Sequence, residues 1–381
     1  MSRTLLLLLV GTIVITLACS PGLSTVARPS PPAAFSLTPT PAPAWSAEGE
    51  EKAKRVNALF TDFVALDSPG AAVIVIQDGK ILYQAGYGLA NVKKGRAITP
   101  QTIFHMASTS KQFTALAIMM LTEEGKLKYD DLLSKHLPEL ARLKGVTLRQ
   151  LLQHTSGLED DDEALTEAYP APTHADLLAW LADNGELSFT PGEEFEYSNR
   201  GYEILGLVVE RLSGQSYGAF LQARVFDHLG MRSTFVYDPA RLDDPDRATG
   251  YEAESGQFTV SDSDPMDNLL GSGSTYSTVA DFYLYDQALY TDELVKQSTL
   301  AEAFQPAPLN DGREEPYGFA WDLGEYHGAT YVGHSGEWLG FVSYILRFPE
   351  LKFSVALFSN RTDTDVDNLP FQIADIYWPA R

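Results

Sequence analysis

The chain predicts an α+β domain: one antiparallel sheet formed by both termini of the folded part and flanked by helices, with a mostly helical region inserted between the two sets of strands. Three observations carry this. Residues 71–76 and 81–87 are short apolar runs separated by Gln77-Asp78-Gly79-Lys80. Asp-Gly between such runs signals a two-residue hairpin, because both turn positions take positive φ. The pattern returns at the other end, where 340–348 and 352–359 flank Pro349-Glu350-Leu351. Between these ends, about residues 104–300, apolar residues recur at helical spacing and no internal repeat is found. Strands gathered at both ends with helices between them are not the alternating β-α pattern of a parallel sheet.

The remaining elements fit that frame. Residues 48–66 read as an opening amphipathic helix, with Val56, Leu59, Phe60 and Phe63 on one face. A closing helix is expected over about 367–377. Of the 381 residues, 44% are hydrophobic and 11% aromatic, enough for a large core. The formal charge is −23, and the first 45 residues hold only Arg3 and Arg28, so the rest carries −25. A surface of that sign repels phosphate backbones and excludes nucleic-acid binding. It reads as a solubility device.

The N-terminus reads as an address. Arg3 precedes an apolar run over 5–18, too short to span a bilayer comfortably but suited to a signal peptide. The run ends Ile15-Thr16-Leu17-Ala18-Cys19-Ser20, which resembles a bacterial lipoprotein signal with a small residue before the cysteine to be lipid-modified. Cys19 is the single cysteine, so no intrachain disulfide is possible. Residues 19–45 are rich in Pro, Ser, Thr and Ala and read as an extended tether. The expected organisation is a signal peptide over 1–18, the tether over 19–45 with Cys19 as lipid attachment, and a folded domain over 46–381. The chain is then exported and held at a membrane through its lipid, or secreted if Cys19 is unmodified.

Three short segments carry chemistry. In the first, Phe104-His105-Met106-Ala107-Ser108-Thr109-Ser110-Lys111, a helix follows with Phe113, Leu116, Ala117, Met120 and Leu121 on one face. Ser108 and Lys111, three apart, share a face of its first turn. A serine hydroxyl is a weak nucleophile until a base takes its proton, and a desolvated lysine can be that base. The second is Phe195-Glu196-Tyr197-Ser198-Asn199, on a loop entering a helix. A tyrosine near a cation can become partly phenolate and shuttle protons. The third is Gly333-His334-Ser335-Gly336-Glu337, just before the strand 340–348, where glycine lets a substrate backbone approach. Each alone is equally a helix cap, a packed loop or a turn. Gly333-His334-Ser335-Gly336-Glu337 misses the last glycine of a Gly-x-Ser-x-Gly elbow, and no His-Glu-x-x-His zinc motif occurs.

In order, Ser108-Thr109-Ser110-Lys111, Tyr197-Ser198-Asn199 and His334-Ser335-Gly336 resemble the serine β-lactamase and penicillin-binding-protein superfamily. The nearest likeness is its class C β-lactamase, D-aminopeptidase and esterase branch. Leu151-Leu152-Gln153-His154-Thr155-Ser156-Gly157-Leu158 and Tyr317-Gly318-Phe319-Ala320-Trp321 add to the likeness, which spans roughly 55–378.

The resemblance implies a β-lactamase/transpeptidase-like fold and an acyl-enzyme mechanism without metal or cofactor. Ser108 attacks, and Lys111 and Tyr197 share the proton transfers, in an order the sequence leaves open. Asn199, His334, Ser335 and Gly336 bind substrate, and the backbone N–H groups of Ser108 and Glu337 form the oxyanion hole. The partner is a small molecule or peptide with a reactive carbonyl: an ester, a D-amino-acid amide or a β-lactam. His334 stands where β-lactamases carry lysine, which shifts the expectation from β-lactamase toward esterase or D-amino-acid peptidase. The alternative is a catalytically weak or inactive binding protein at the cell envelope. His154 is expected to be structural. The loops 159–172 and 251–268 are expected to shape the pocket, with Asp160, Asp161, Asp162, Asp262, Asp264 and Asp267 solvated.

Overall fold

The computed structural model describes residues 47–63 and 67–378. The signal, the tether and Cys19 lie outside the described residues. No helix among the described residues is long and apolar enough to cross a membrane.

Six strands form the main antiparallel sheet: β1 (Ala71–Gln77), β2 (Lys80–Tyr87), β3 (Asp322–Tyr326), β4 (Ala329–Trp338), β5 (Phe341–Phe348) and β6 (Phe353–Ser359). Their order is β3-β4-β5-β6-β1-β2. The first and last strands of the folded part meet where β1 pairs with β6, from Ala71 opposite Ser359 to Gln77 opposite Phe353. Asp78 and Gly79 both have positive φ at the β1–β2 hairpin, as Asp-Gly requires.

The pleat assigns the two faces of the sheet. Tyr344, Phe348 and Phe353 share one face and meet Phe371 and Trp378 in and after the closing helix. Ser343 and Phe358 share the other face. There Ser343 Oγ donates to Met106 O at 2.7 Å, and Phe358 meets Phe104 and Phe282. The helices used below are α1 (Ala47–Leu59), α2 (Lys111–Glu123), α3 (Leu148–Leu152), α4 (Asn199–Ser213), α5 (Val279–Ala288) and α6 (Leu369–Tyr377). Phe282 lies on α5 and Phe371 on α6. A smaller sheet of Phe104–His105, Thr275–Ser277 and Phe235–Val236 leads into the nucleophile segment.

Three expectations are corrected. The opening helix stops at Leu59 and is followed by a 3-10 turn, Thr61–Phe63; residues 64–66 of the expected helix lie outside the described residues. The helix α2 is not amphipathic: every residue from Lys111 to Leu121 is buried, as in a helix enclosed on all sides. His334-Ser335-Gly336 precedes β5 as expected but, instead of forming a turn, lies inside a strand of its own, β4. Glycines and polar residues blur the alternation of that ten-residue strand, because its middle lies against the nucleophile segment rather than against an apolar core.

Asn360, fully buried after β6, joins the sheet to its neighbours. Its Oδ1 accepts from Gly70 N at 2.7 Å, and its Nδ2 lies 3.1, 3.3 and 2.8 Å from the carbonyls of Leu89, Ala90 and Thr249. Asn360→Ala strands these backbone groups without water. A loss of roughly 3 kcal/mol or more is expected in urea unfolding, with an unchanged m-value.

Candidate active site

Ser108 sits in a 3-10 turn, Ala107–Ser110, that runs directly into α2. Side chains three apart eclipse in that geometry, so Ser108 and Lys111 face each other. Ala107, just before the serine, has φ +49, and its N–H donates to His105 Nδ1 at 3.0 Å. A non-glycine residue in that region is strained and persists only where its surroundings fix it. His105 is buried, and burial pushes its imidazole down to about 3, so it stays a neutral acceptor.

The Lys111 ammonium is fully buried. Its Nζ lies 3.1 Å from Ser108 Oγ, 2.7 Å from Asn199 Oδ1 and 2.7 Å from Ser272 O. Burial lowers it to about 7, partly offset by the carboxylates of Glu203 and Asp160. Asn199 Oδ1 and Ser272 O only accept. A neutral amine gives them its two N–H bonds and has its lone pair left for the Ser108 hydroxyl.

Tyr197 comes from the loop before α4. The expectation that a nearby cation draws it toward phenolate is not met: burial outweighs the interaction with the Ser108 side chain and raises the phenol above its ordinary value. The residue is 39% exposed, and its hydroxyl interacts with the Ser108 side chain. Lys111 Nζ lies 4.9 Å from the ring centroid. Ser198 caps α4 by accepting from Gly201 N at 3.1 Å. Asp160 binds the same helix start, accepting from Asn199 N at 2.6 Å and Ser198 Oγ at 2.6 Å. Asn199 is therefore free of capping. Its Oδ1 holds Lys111, and it lines the cleft.

The strand β4 passes very close to the nucleophile turn at Gly336. A Cβ there would lie 2.5 Å from Ser343 Oγ, 2.6 Å from Met106 O and 3.0 Å from Ser108 N. Only glycine admits this approach. His334 and Gly336 share the face of Ser343, whereas Ser335 pairs across to Tyr344 and projects its side chain from the other face. His334 is buried and both its nitrogens are taken: Nε2 by Tyr317 Oη at 2.9 Å, Nδ1 by the Ser335 carbonyl. Burial and the Lys111 charge push it down to about 3, so it is neutral. It does not present a free nitrogen to a substrate.

An open cleft of about 490 Å³ lies over these groups, lined among others by Ser108, Asn199, Glu203, Asp267, Glu337 and Trp338. The two loops expected to shape it supply Asp162, Met266 and Asp267. Their carboxylates are not simply solvated. Asp160 caps α4, Asp162 pairs with the buried Arg200 at 2.7 Å, Asp262 with Arg247 at 2.7 Å, and Asp267 accepts from Trp338 Nε1 at 2.7 Å. Asp161 and Asp264 cap short helices. Glu203, between Arg200 and Ser272, is raised by burial. No group of three or more His, Cys, Asp or Glu that could hold a metal ion occurs among the described residues.

The sequence model described as Beta-lactamase matches residues 56–377. The chain belongs to the beta-lactamase family. It is 31% identical over 343 residues to "Penicillin-binding protein 4*" of Bacillus subtilis (strain 168), covering 86% of this chain and 76% of that protein. It is 28% identical to "Protein flp" of Staphylococcus aureus (strain MW2) over 79% of this chain, spanning 61% of that relative's length. Among solved structures, the octameric penicillin-binding protein homologue from Pyrococcus abyssi superposes with TM-score 0.75 at 27% identity, covering 85% of this chain and 77% of that one. The family is one of beta-lactamase-like serine hydrolases, and the fold is the mixed helix-and-sheet fold of the penicillin-binding protein homologue.

Two groups of site residues make contacts that the sequence does not report. Ser272, Glu203 and Arg200 surround the lysine and its neighbours, and no motif gives them that place. His105, His154 and Tyr317 stand in stretches whose family likeness is visible while their partners are not. Gly336→Ala tests the close approach: overpacking of about 1–3 kcal/mol is expected as a lower Tm. Labelling of Ser108 by a fluorophosphonate should slow at least roughly 10-fold, because the added methyl displaces the backbone beside the nucleophile.

Proposed function

We propose that this beta-lactamase-family chain is an exported serine hydrolase. It acts through an acyl-enzyme on esters or D-amino-acid amides and peptides in preference to β-lactams. The arrangement around Lys111 carries the proposal: a buried amine whose two other polar neighbours can only accept, at hydrogen-bond distance from a serine hydroxyl. Lys111 is then the first base. Its lone pair takes the Ser108 proton as Oγ bonds to the substrate carbonyl carbon and the carbonyl π pair moves to oxygen. The N–H groups of Ser108 and Glu337, both bordering the cleft, hold that oxyanion. Tyr197, kept protonated by burial, gives its proton to the leaving group and is reprotonated by the Lys111 ammonium, which holds the proton taken from Ser108. Water then attacks the ester, and the same groups run in reverse.

The electrostatics support the substrate preference. Asp162, Glu203, Asp267 and Glu337 line the cleft, and His334 is neutral where a cation would serve a β-lactam carboxylate. The outer edge of β4 supports an extended substrate. The strand β3 pairs only with Ala329 to Gly333, so 334–338 have no strand neighbour on that side among the described residues. Two relatives are named for penicillin binding, and we carry that to this chain as acylation of Ser108 by a β-lactam followed by slow release. Cys19 is proposed as the lipid-modified N-terminus of the mature chain, with 19–45 as the tether that spaces the enzyme from the outer face of a membrane.

Purified residues 46–381, beside Ser108→Ala and Lys111→Met, should be given a short-chain p-nitrophenyl ester, a D-Ala-D-Ala peptide and a chromogenic cephalosporin. Turnover of the ester or peptide is expected to exceed that of the cephalosporin. Loss of at least about 10³-fold is expected in both variants. Absence of turnover together with absence of Ser108 acylation would make the chain a binding protein. Mass spectrometry of membrane-extracted protein should show a diacylglyceryl adduct on Cys19, and an unmodified cysteine would remove the anchor.

A further inference from the structure

His154 holds Tyr197 from both sides. Its carbonyl accepts from Glu196 N at 2.9 Å, and its Nδ1 accepts from Ser198 N at 3.1 Å. Its ring lies against the Tyr197 ring, with centroids 4.2 Å apart and planes 34° from parallel. The residue before Tyr197, the residue after it and its own ring therefore all rest on one imidazole-bearing residue. His154 itself is held at φ +56, in the left-handed region that few non-glycine residues adopt.

The acceptor at Nδ1 fixes the rest of a chain. With that nitrogen unprotonated, the His154 hydrogen is on Nε2 and donates to Tyr317 Oη at 3.1 Å. The Tyr317 hydroxyl is then free to donate to His334 Nε2 at 2.9 Å. The His334 hydrogen is left on Nδ1, where it donates to the Ser335 carbonyl. All three rings are buried, so none of these groups has water as an alternative partner. The chain runs from the backbone of the Tyr197 loop to the backbone of β4. It joins residues 154, 317 and 334, which belong to three separate segments.

We propose that His154 and Tyr317 are positioning residues. His154 clamps Tyr197, and Tyr317 couples that clamp to His334, so the proton-donating phenol and the strand bordering the cleft are held as one unit. This rests on the role given to Tyr197 above. It also reassigns His334, whose nitrogens serve this link rather than the substrate.

Tyr317→Phe keeps the ring and removes both hydrogen bonds. His154→Asn keeps an acceptor for Ser198 N and tolerates positive φ, whereas His154→Leu does neither. With the D-Ala-D-Ala peptide, whose amine leaving group needs the Tyr197 proton, Tyr317→Phe should lower kcat roughly 10- to 100-fold with KM changed less than about twofold, at a Tm close to wild type. His154→Asn should retain several-fold more kcat than His154→Leu. Wild-type kcat in Tyr317→Phe, or equal loss in the two His154 variants at equal Tm, overturns the clamp while Ser108 acylation in the wild type still stands. Absence of that acylation in the wild type overturns the hydrolase reading and the clamp together.

Discussion

An amine kept out of water is the constraint on which the site depends. Lys111 lies on a helix buried on every side, and its Nζ meets two carbonyl oxygens and one hydroxyl. Burial of a charge is costly, and the protein offsets only part of that cost with the nearby carboxylates of Glu203 and Asp160. The result is a lysine that gives up its proton near neutrality. The same shift bears on stability. Above about 7 the folded chain sheds this proton, while the unfolded chain keeps it up to the ordinary lysine value of 10.5. The unfolded state then binds more protons, so this group's contribution to stability rises with pH across that interval and is least favourable below it.

The sheet and the helices hold the remaining groups around that amine. Gly336 lets β4 approach Ser108 N more closely than any side chain would permit. The N-terminus of α4, fixed by Ser198 and Asp160, delivers Asn199 to the lysine. Neutral His105 steadies the strained residue before the nucleophile. The cleft thus combines acyl-transfer geometry with walls that carry carboxylates and a neutral histidine. That combination is the ground for the proposed preference for neutral over anionic acyl groups.

Much of this was legible in the sequence because it is local. Ser108 and Lys111 are three residues apart, Tyr197 and Asn199 two apart, and the Asp78-Gly79 turn is contiguous. The paired terminal strands followed from two apolar hairpins. What escaped is made by contacts between distant segments. The Ser198–His154 bond spans 44 positions and the Tyr317–His154 bond 163, so no spacing rule reports them. The strand β4 was hidden because its alternation gives way at Gly333 and Gly336. The acidic loops read as solvated because their partners, Arg200, Arg247 and Trp338, come from elsewhere in the chain.

The central claim is that neutral Lys111 takes the Ser108 proton, and the most direct test is the pH dependence of the acylation step itself. An uncharged activated ester, mixed rapidly with excess wild-type enzyme, reports the Ser108 acylation rate free of substrate ionisation. The rate should rise about tenfold per pH unit at low pH and level off above about 7 as the amine loses its proton. A rate that is flat from pH 5 to 9, or that climbs without levelling toward the ordinary lysine range, would contradict the account.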